Sequence, residues 1–390
     1  MKVIIVGAGI SGLTLTAALT QLAPSIEVEL YERDASAPVR RKGYAISLKG
    51  DAGLAVLERL GVRDHVLAHD AQQVTNFVIN DCRGRILLAL PSAENDKSRE
   101  IYRVQRDHLQ AVLADTLPDS LVRHGFQALG YEMLEGRCRV IFTGGRHVDG
   151  DVLVGCDGVG SALRRQLIGD PPHFLGQSAI TGDAALTVDD PLLSGGYFMT
   201  LGDLGDSFFG YRQPGGVHFS YTSHVDPSTL ESTSQPELLN RVQAATADWH
   251  PLIPMITAAT DPDSIETRGY YDREPAKQIR DGNVWLIGDA THPMSPFQGQ
   301  GANTAMLDAV ELAELLGSGN LPAEADRVAG RIAARGRKAV LRSRHAAKQF
   351  HSTSRWQMIN RDFGFRVANA IVNSRYMRRK KTPAESAPAS

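Results

Sequence analysis

The sequence predicts an α/β protein with more than one domain, and three observations support this fold class. First, a strand-like apolar run at residues 2–6 leads into a glycine-rich turn and then into a helical pattern. Second, apolar strands in segments 151–168 and 283–316 each end in a glycine-containing turn that is followed by a helix. Third, residues 174–271 alternate as strands do, whereas residues 323–381 carry apolar side chains at helical spacing. Repeated strand–turn–helix units indicate the α/β class.

Length and composition are those of a folded, soluble protein. A chain of 390 residues exceeds what one compact core usually holds, so we expect two domains. The net charge of −2 gives no overall attraction to nucleic acid. A strand pattern starts directly at Lys2, and the charged region, apolar region and cleavage site of a signal peptide do not occur there in order. We find no apolar run in the chain that is long enough to span a bilayer. Its three cysteines have no metal or redox spacing, and we expect a cytoplasmic protein that is not integral to a membrane.

Charge is distributed unevenly along the chain. Residues 327–381 contain sixteen Lys and Arg and one acid, Asp362, so this segment carries 16 − 1 = +15 and the rest carries −2 − 15 = −17. The basic segment could dock within the molecule, or it could bind anionic lipid or nucleic acid. We favour docking within the molecule and a solvated face, because the basic residues are spread along helices.

The N-terminal strand, turn and helix contain a dinucleotide-binding fingerprint. Gly7, Gly9 and Gly12 satisfy G-x-G-x-x-G, and Ser11 lies within the turn. The first glycine permits a tight turn, the second lets the backbone approach a pyrophosphate, and the third lets helix and strand pack closely. Glu32, twenty residues after Gly12 and at the end of the second strand, can accept hydrogen bonds from ribose hydroxyls.

Two later segments resemble this unit only in part. Asp157 follows an apolar strand, and Ser161 can cap the helix after it, but Leu163 stands where a third glycine would be. A second dedicated dinucleotide domain is therefore not expected. Asp289 ends another buried strand and can accept hydrogen bonds from a polyol such as ribitol. A helix is expected to begin near residues 301–303, where its N–H groups could face a developing anion.

These ordered motifs resemble those of the single-component FAD-dependent aromatic-ring hydroxylases, the p-hydroxybenzoate hydroxylase superfamily. The stretch Pro-Phe-Gln-Gly-Gln-Gly-Ala-Asn and the short chain look closest to the tetracycline-inactivating monooxygenases and related polyketide-tailoring hydroxylases. By resemblance, Arg106 in segment 102–109 lies beside the flavin, and Arg41 belongs to an FAD-contact region. The residues that the motifs and the resemblance assign to the cofactor are Gly7, Gly9, Ser11, Gly12, Glu32, Arg33, Arg41, Arg106, Asp157, Asp289, Gly299, Gly301, Ala302 and Asn303.

The resemblance also implies a reaction. NAD(P)H would reduce FAD transiently, and the reduced flavin would react with O2 to a 4a-hydroperoxide that delivers one oxygen atom to an aromatic or polycyclic, polyketide-like substrate. Hydroxylation is the favoured outcome. Epoxidation or Baeyer–Villiger oxidation by the same intermediate stays open, as does a flavin reductase or dehydrogenase without oxygen insertion. No catalytic base and no metal site is assigned, and the choices of NADH or NADPH and of monomer or dimer are left open.

The middle of the chain is predicted to hold the substrate. Its strand-like segments carry clusters of aromatic residues, which either line a pocket or form a sheet core. Tyr211, Arg212 and His218 are candidates for this pocket. In the loop before the flavin-facing helix the candidates are Met294, Pro296 and, as the preferred contact, Phe297. His292 is expected to pack within that loop rather than act as a base.

We therefore predict a Rossmann-like FAD-binding domain, an inserted β-sheet substrate domain and C-terminal helices. The apolar residues of the last helix, from Trp356 to Val372, are expected to close the substrate domain, to brace it against the flavin domain or to form a dimer contact. The predicted boundaries are 1–75, 100–173 and 278–320 for the FAD-binding domain, 76–99 and 174–277 for the substrate domain, 321–381 for the helices and 382–390 for a disordered tail.

Overall fold

The structure is a computed structural model of the chain. It describes residues 1–35, 45–69, 71–91, 97–118 and 120–381, with side chains described as far as residue 374. The predicted tail at 382–390 and the predicted FAD contact Arg41 lie outside the described residues.

Strands and helices occur along the whole described chain. The strands are β1 (Lys2–Val6), β2 (Glu27–Tyr31), β3 (Ala45–Lys49), β4 (Gln72–Gln73), β5 (Asn76–Asp81), β6 (Ile86–Pro91), β7 (Ile101–Gln105), β8 (Val122–Arg123), β9 (Ala128–Leu134), β10 (Arg137–Phe142), β11 (His147–Gly150), β12 (Val152–Gly155), β13 (His173–Ala184), β14 (Gly196–Leu201), β15 (Ser207–Gln213), β16 (Gly216–Ser223), β17 (Glu266–Asp272), β18 (Arg280–Asp281) and β19 (Val284–Leu286). The helices are α1 (Ile10–Leu22), α2 (Gly53–Arg59), α3 (Arg63–Leu67), α4 (Arg106–Asp115), α5 (Ala162–Leu167), α6 (Pro227–Glu231), α7 (Gln235–Thr246), α8 (Leu252–Ala258), α9 (Gly301–Gly317), α10 (Leu321–Phe350) and α11 (Arg355–Lys381). Short 3-10 helices occupy Lys97–Arg99, Thr143–Gly145, Pro191–Leu193, Pro262–Ser264, Gly288–Ala290 and Pro296–Gln298.

The chain divides into two compact units. Unit 1 comprises Met1–Gln73, Glu94–Leu175 and Tyr270–Ala347. Unit 2 comprises Val74–Ala93, Gly176–Gly269 and Lys348–Ser390.

Unit 1 is built on a six-stranded sheet in the order β18-β19-β12-β1-β2-β8. Strand β1 pairs in parallel with both β12 and β2. Its alternate residues enter different clusters: Val3 and Ile5 pack with apolar residues of α1 and α9, whereas Ile4 and Val6 pack with those of β9 and β10. Both faces of the strand are thus covered, which explains its uninterrupted apolar sequence. The α/β class predicted from the sequence is confirmed.

Unit 2 contains a sheet in the order β17-β13-β16-β15-β14-β5-β6. Strands β5 and β6 form an antiparallel pair at one end of this sheet. Phe198, Phe208 and Phe219 point to one face of the sheet and form a core with apolar residues of α7 and α8. Their sequence neighbours Tyr197 and Phe209 therefore point to the other face, since side chains alternate along a strand.

The C-terminal segment that was predicted to be helical folds into α10 and α11. Helix α10 begins at Leu321 with Pro322 in its first turn, where the missing N–H of proline costs nothing. A face of α11 packs on β6, and five of the apolar residues of this helix are exposed. These exposed residues are Trp356, Ile359, Phe363, Val367 and Ile371.

Basic residues of α10 do form ion pairs within unit 1, as the sequence analysis favoured for the basic segment. Arg335 contacts Asp308 and Glu311, and Arg344 contacts Asp272 and Glu274. Within the described residues, none of the helices has the length and apolar character needed to cross a membrane.

Candidate cofactor site

The turn between β1 and α1 needs glycine at two positions for reasons internal to the fold. Gly7 has a φ of +103°, and its N–H donates to the carbonyl oxygen of Tyr31 at 2.7 Å. A Cβ on Gly7 would lie 2.4 Å from the carbonyl oxygen of Cys156, and one on Gly12 would lie 1.9 Å from the carbonyl oxygen of Gly7. Backbone segments therefore approach too closely here for any side chain.

Gly9 is different, because none of the described residues requires a glycine there. Its φ of −76° is open to any residue, and an added Cβ would have no atom of the described residues within 4 Å. Gly9 stands directly before α1, whose first N–H groups have no partner within the helix. The open space at Gly9 thus adjoins a helix N-terminus, which is the arrangement that binds a pyrophosphate.

The other two motifs reach the same turn. The Cα of Asp157 would lie 3.0 Å from a Cβ on Gly7, and a Cβ on Gly288 would lie 2.8 Å from the Oγ of Ser11. The three segments picked out from the sequence therefore converge around the N-terminus of α1.

Glu32 lies beside the turn as predicted, and its carboxylate already accepts two backbone hydrogen bonds. The N–H of Ala8 donates to Oε2 at 2.7 Å, and the N–H of Asp34 donates to Oε1 at 3.0 Å. These bonds fix the carboxylate while each oxygen keeps further accepting capacity for a ribose. Arg33 is exposed, and its Nε lies 4.0 Å from Oδ1 of Asp34.

Asp157 combines a structural contact with an unused acceptor. Its Oδ2 accepts the N–H of Ala162 at 2.9 Å, and Ser161 caps the same short helix by accepting the N–H of Arg164 at 2.9 Å. The Oδ1 of Asp157 is buried without a hydrogen-bond partner among the described residues. Burial raises the pKa of Asp157 above its usual value. An unpaired buried acceptor is costly unless a ligand supplies a donor.

Asp289 faces the start of α9. A Cβ on Gly301 would lie 4.0 Å from its Oδ1. Burial raises the pKa of Asp289, and the positive charges of His292 and Arg106 act in the opposite direction. Arg106 and Asp289, which stand far apart in the sequence, are thus close enough to interact electrostatically.

Asn303 holds the start of α9 in place with its side chain. Its Oδ1 accepts the N–H groups of Lys49 and Gly53 at 2.9 and 3.0 Å, and its Nδ2 donates to the carbonyl oxygens of Ser47 and Gly299 at 2.7 and 2.9 Å. The side chain is therefore fully used by the protein. Any contact of Asn303 with a cofactor is expected to come from its backbone N–H in the first turn of α9, next to those of Gly301 and Ala302.

Sequence reasoning missed a buried charge network behind Asp289. His292 bonds through Nε2 to the carboxylate of Asp308, and Asp308 also accepts from Arg335 Nε at 2.9 Å. Burial alone would lower the pKa of His292, but the adjacent Asp308 carboxylate raises it above its ordinary value. The glycine at position 336 leaves space for the His292 ring, because a Cβ there would lie 2.5 Å from that ring. His292 therefore packs rather than acting as a solvent-facing base.

Lys49 is a second residue that sequence reasoning did not select. Lys49 is the last residue of β3, and its backbone N–H donates to the side chain of Asn303. Its Nζ lies 3.4 Å from the carbonyl oxygen of Gln298 in the glycine-rich loop before α9. Burial lowers the pKa of its ammonium group. The only sequence signal was its position at the end of a short apolar strand, just before Gly50.

The predicted substrate residues fall in different places. In unit 1, Phe297 packs edge-on against Tyr270, with ring centroids 5.1 Å apart; Met294 is half-buried and Pro296 is exposed. In unit 2, Tyr211 and His218 lie side by side on paired strands, whereas Arg212 donates to the carbonyl oxygen of Val188 at 2.9 Å.

These features fit an adenine dinucleotide with a polyol arm. The open cradle at Gly9 suits a pyrophosphate, the carboxylate of Glu32 suits a ribose, and Asp289 at the start of α9 suits a ribityl chain. The described residues contain no group of His, Cys, Asp and Glu side chains arranged to hold a metal ion. Fold and site together define a flavoprotein with a Rossmann-like domain.

Comparisons with known proteins are specific. A family model described as "FAD binding domain" matches residues 1–321, and the chain belongs to this family. It is 31% identical over 366 residues to a 3-amino-4-hydroxybenzoate 2-monooxygenase of Streptomyces platensis, covering 90% of this chain and 88% of that protein. It is 30% identical to the aurachin C monooxygenase/isomerase of Stigmatella aurantiaca, covering 81% and 80%. The fold matches Klebsiella pneumoniae HpxO complexed with FAD and uric acid, with a TM-score of 0.85, 24% identity and coverage of 96% and 95%.

The chain is therefore an FAD-dependent monooxygenase, for which NAD(P)H is the reductant typical of the family. The resemblance to single-component aromatic-ring hydroxylases, stated from the three motifs, is confirmed. When bound, FAD supplies the redox chemistry, and the residues of this chain bind it, orient it and exclude water from it.

Replacing Asp289 by asparagine is expected to weaken FAD binding about tenfold while leaving the apoprotein at least as stable at neutral pH. The pKa of Asp289 is raised in the fold, so its anion destabilises the folded state above its usual pKa, and a neutral amide removes that penalty. FAD titration and urea unfolding of the apoprotein measure the two effects. Asp281→Asn, at an exposed position, is the control; equal FAD affinity of Asp289→Asn and the control would contradict the assignment.

Proposed function

We propose that this monooxygenase hydroxylates an electron-rich aromatic or polycyclic small molecule, and that the substrate binds on the aromatic face of the unit 2 sheet. We define this aromatic face as Tyr197, Phe209, Tyr211 and His218. Its ring centroids lie 5.3 Å apart for Tyr197 and Phe209, 5.9 Å for Tyr197 and Tyr211, and 5.0 Å for Tyr211 and His218.

One observation carries this proposal. The opposite face of the same strands is filled by Phe198, Phe208 and Phe219, which belong to the apolar core of unit 2, whereas the aromatic face is absent from that core cluster. A second set of rings on the face away from the core is what a pocket for a flat substrate requires. The relatives named above act, by their names, on an aminohydroxybenzoate and on aurachin C, which supports a ring substrate.

His218 is proposed to take part in proton transfer at a substrate hydroxyl. Its Nδ1 lies 2.7 Å from Oδ1 of Asp183, and Gln213 donates to the same carboxylate oxygen at 2.9 Å. With the Nδ1 proton held by Asp183, Nε2 is the basic nitrogen of the ring. Removing the proton of a ring hydroxyl raises the electron density of the ring and so favours attack on an electrophilic oxygen. Asp183 then acts as a positioning residue for His218.

Replacing His218 by glutamine is expected to lower kcat/KM for oxygenation of a phenolic substrate by about a hundredfold, with FAD content unchanged. Asp183→Asn is expected to produce a smaller loss in the same direction. His147→Gln, at an exposed site of β11, is the control. A loss of kcat/KM in His218→Gln no larger than that of the His147→Gln control would contradict the role.

We also propose a cytoplasmic location, supported by the use of NAD(P)H and by the free state of Cys82, Cys138 and Cys156. The predicted residue boundaries of the FAD-binding and substrate domains, and the assignment of Phe297 to substrate contact, are kept as part of this proposal.

A further inference from the structure

Helix α11 exposes a continuous apolar stripe. Its five members recur at intervals of three or four residues, which places them on one side of a helix. Their exposed fractions are 76% for Trp356, 52% for Ile359, 69% for Phe363, 43% for Val367 and 49% for Ile371. Side chains of this size are seldom exposed together, and such a patch usually marks an interaction site.

The orientation of α11 is fixed by contacts on its other sides. Asn369 accepts the N–H of Ala89 in β6 at 3.0 Å. Arg361 is buried and donates to the carbonyl oxygen of Phe350 at 3.2 Å, and Phe365 packs against the Phe350 ring with centroids 6.2 Å apart. The stripe therefore faces outward because the helix is already packed through a different face.

The helix is also strongly basic. Exposed Arg355 and Arg366 border the stripe on one side, at about 60–80° around the helix axis from Phe363. The one acid of the helix, Asp362, pairs with Arg361 at 2.8 Å. Residues 355–381 contain eight Lys and Arg, so the helix sequence carries 8 − 1 = +7, and four of these cations follow one another at 378–381.

We propose that α11 docks on the surface of an anionic lipid bilayer, lying in the plane of the interface. The stripe inserts among the acyl chains near the headgroups, and the flanking arginines contact lipid phosphates. A helix with Trp and Phe on one face and Lys and Arg beside it has the composition of an interfacial membrane helix. This is peripheral binding and does not require a spanning segment.

Charge complementarity favours this occupant over two others. A second copy pairing through the same stripe would bring two helices of +7 charge together, which is unfavourable. A nucleic acid would satisfy the cations but would leave five exposed apolar side chains without an apolar partner.

The test uses the full-length, FAD-loaded protein and vesicles of phosphatidylcholine, either alone or mixed in equal parts with phosphatidylglycerol. We expect binding to the mixed vesicles to be at least about tenfold tighter than to phosphatidylcholine alone, and to weaken as salt rises. The double variant Phe363→Ser, Ile371→Ser is expected to lose at least about tenfold of this binding. Both side chains are exposed, so FAD absorbance and NAD(P)H oxidation in solution should not change.

Leu204→Ser is the matched control, because Leu204 is a large, 81% exposed residue of unit 2 that lies outside the stripe. Arg355→Gln, Arg366→Gln should weaken binding to mixed vesicles and leave binding to neutral vesicles unaltered. The proposal is overturned if the wild-type protein fails to sediment with mixed vesicles at low salt, or if the stripe variant binds them as tightly as the control does. It is also overturned if the stripe variant only dissociates an oligomer in sedimentation velocity, or only loses oligonucleotide binding.

Discussion

Gly9→Val is expected to weaken FAD binding by at least about a hundredfold, while the apoprotein keeps wild-type stability within about 1 kcal/mol. The reason is geometric. The backbone at Gly9 has a φ that valine adopts freely, and a Cβ there meets no atom of the described residues within 4 Å. A ligand whose pyrophosphate approaches the backbone at the start of α1 would meet the added side chain. FAD titration of the apoprotein and urea unfolding without FAD measure the two quantities.

Substitutions at two other glycines provide comparisons for the Gly9→Val variant. Gly330→Val adds the same side chain at a site of α10 where a Cβ would also have no described atom within 4 Å, and this variant should bind FAD normally. Gly12→Ala should destabilise the apoprotein itself, because its Cβ would lie 1.9 Å from the carbonyl oxygen of Gly7. Normal FAD affinity in Gly9→Val would show that the pyrophosphate does not lie at this turn. Unfolding of Gly9→Val apoprotein would show that the space is not open.

Asp308→Asn is expected to lower the free energy of unfolding by about 3–5 kcal/mol, the usual cost of breaking a buried ion pair from one side. Asp308 is fully buried, and its carboxylate contacts both His292 and Arg335. The amide of asparagine carries no negative charge and has only one acceptor oxygen for these two cations. The matched control is Asp326→Asn, because Asp326 also pairs with an arginine, Arg280, but is 93% exposed. Its loss should cost less than about 1 kcal/mol. Equal effects of the two variants on urea unfolding would contradict the account.

The same network predicts a pH dependence of stability. The neighbouring Asp308 carboxylate raises the pKa of folded His292 above 6.5, although burial acts against this. A raised folded pKa means that the stabilising contribution is complete below the unfolded pKa and is lost as pH rises through the folded pKa. The stability difference between wild type and His292→Gln should therefore be larger at about pH 6 than at about pH 9. A difference that is constant or grows over this range would show that His292 is not protonated in the fold.

The sequence could predict those parts of the site whose residues belong to short, local patterns. Gly7, Gly9 and Gly12 stand in a strand–turn–helix context, and the strand-end acids Glu32, Asp157 and Asp289 follow apolar runs, so their positions follow from short stretches of chain. Arg106 was assigned by resemblance alone, and the structure brings its charge near Asp289.

What sequence could not predict depends on long-range packing. Asp308 reads as one polar residue of an amphipathic helix, and only the fold places it between His292 and Arg335. From the sequence, Gly336 is a residue that would weaken helix α10. The structure shows that the His292 ring lies against it. The three- and four-residue spacing of apolar residues likewise predicted an apolar face on α11, but spacing alone does not show what that face packs against. Five of the apolar residues that were expected to close the substrate domain, to brace it against the flavin domain or to form a dimer contact are exposed, Trp356 among them.

The central claim is that this FAD-dependent chain inserts one atom of O2 into an aromatic ring. The direct measurement uses the FAD-loaded protein, NAD(P)H and isotopically labelled O2, with a panel of aminophenols, hydroxybenzoates, purines and quinolones analysed by mass spectrometry. The account predicts that at least one ring compound gains a single labelled oxygen, in step with one NAD(P)H oxidised, and that His218→Gln reduces this product. Oxidation of NAD(P)H with every reducing equivalent recovered as hydrogen peroxide, or a product whose new oxygen is unlabelled, would contradict it.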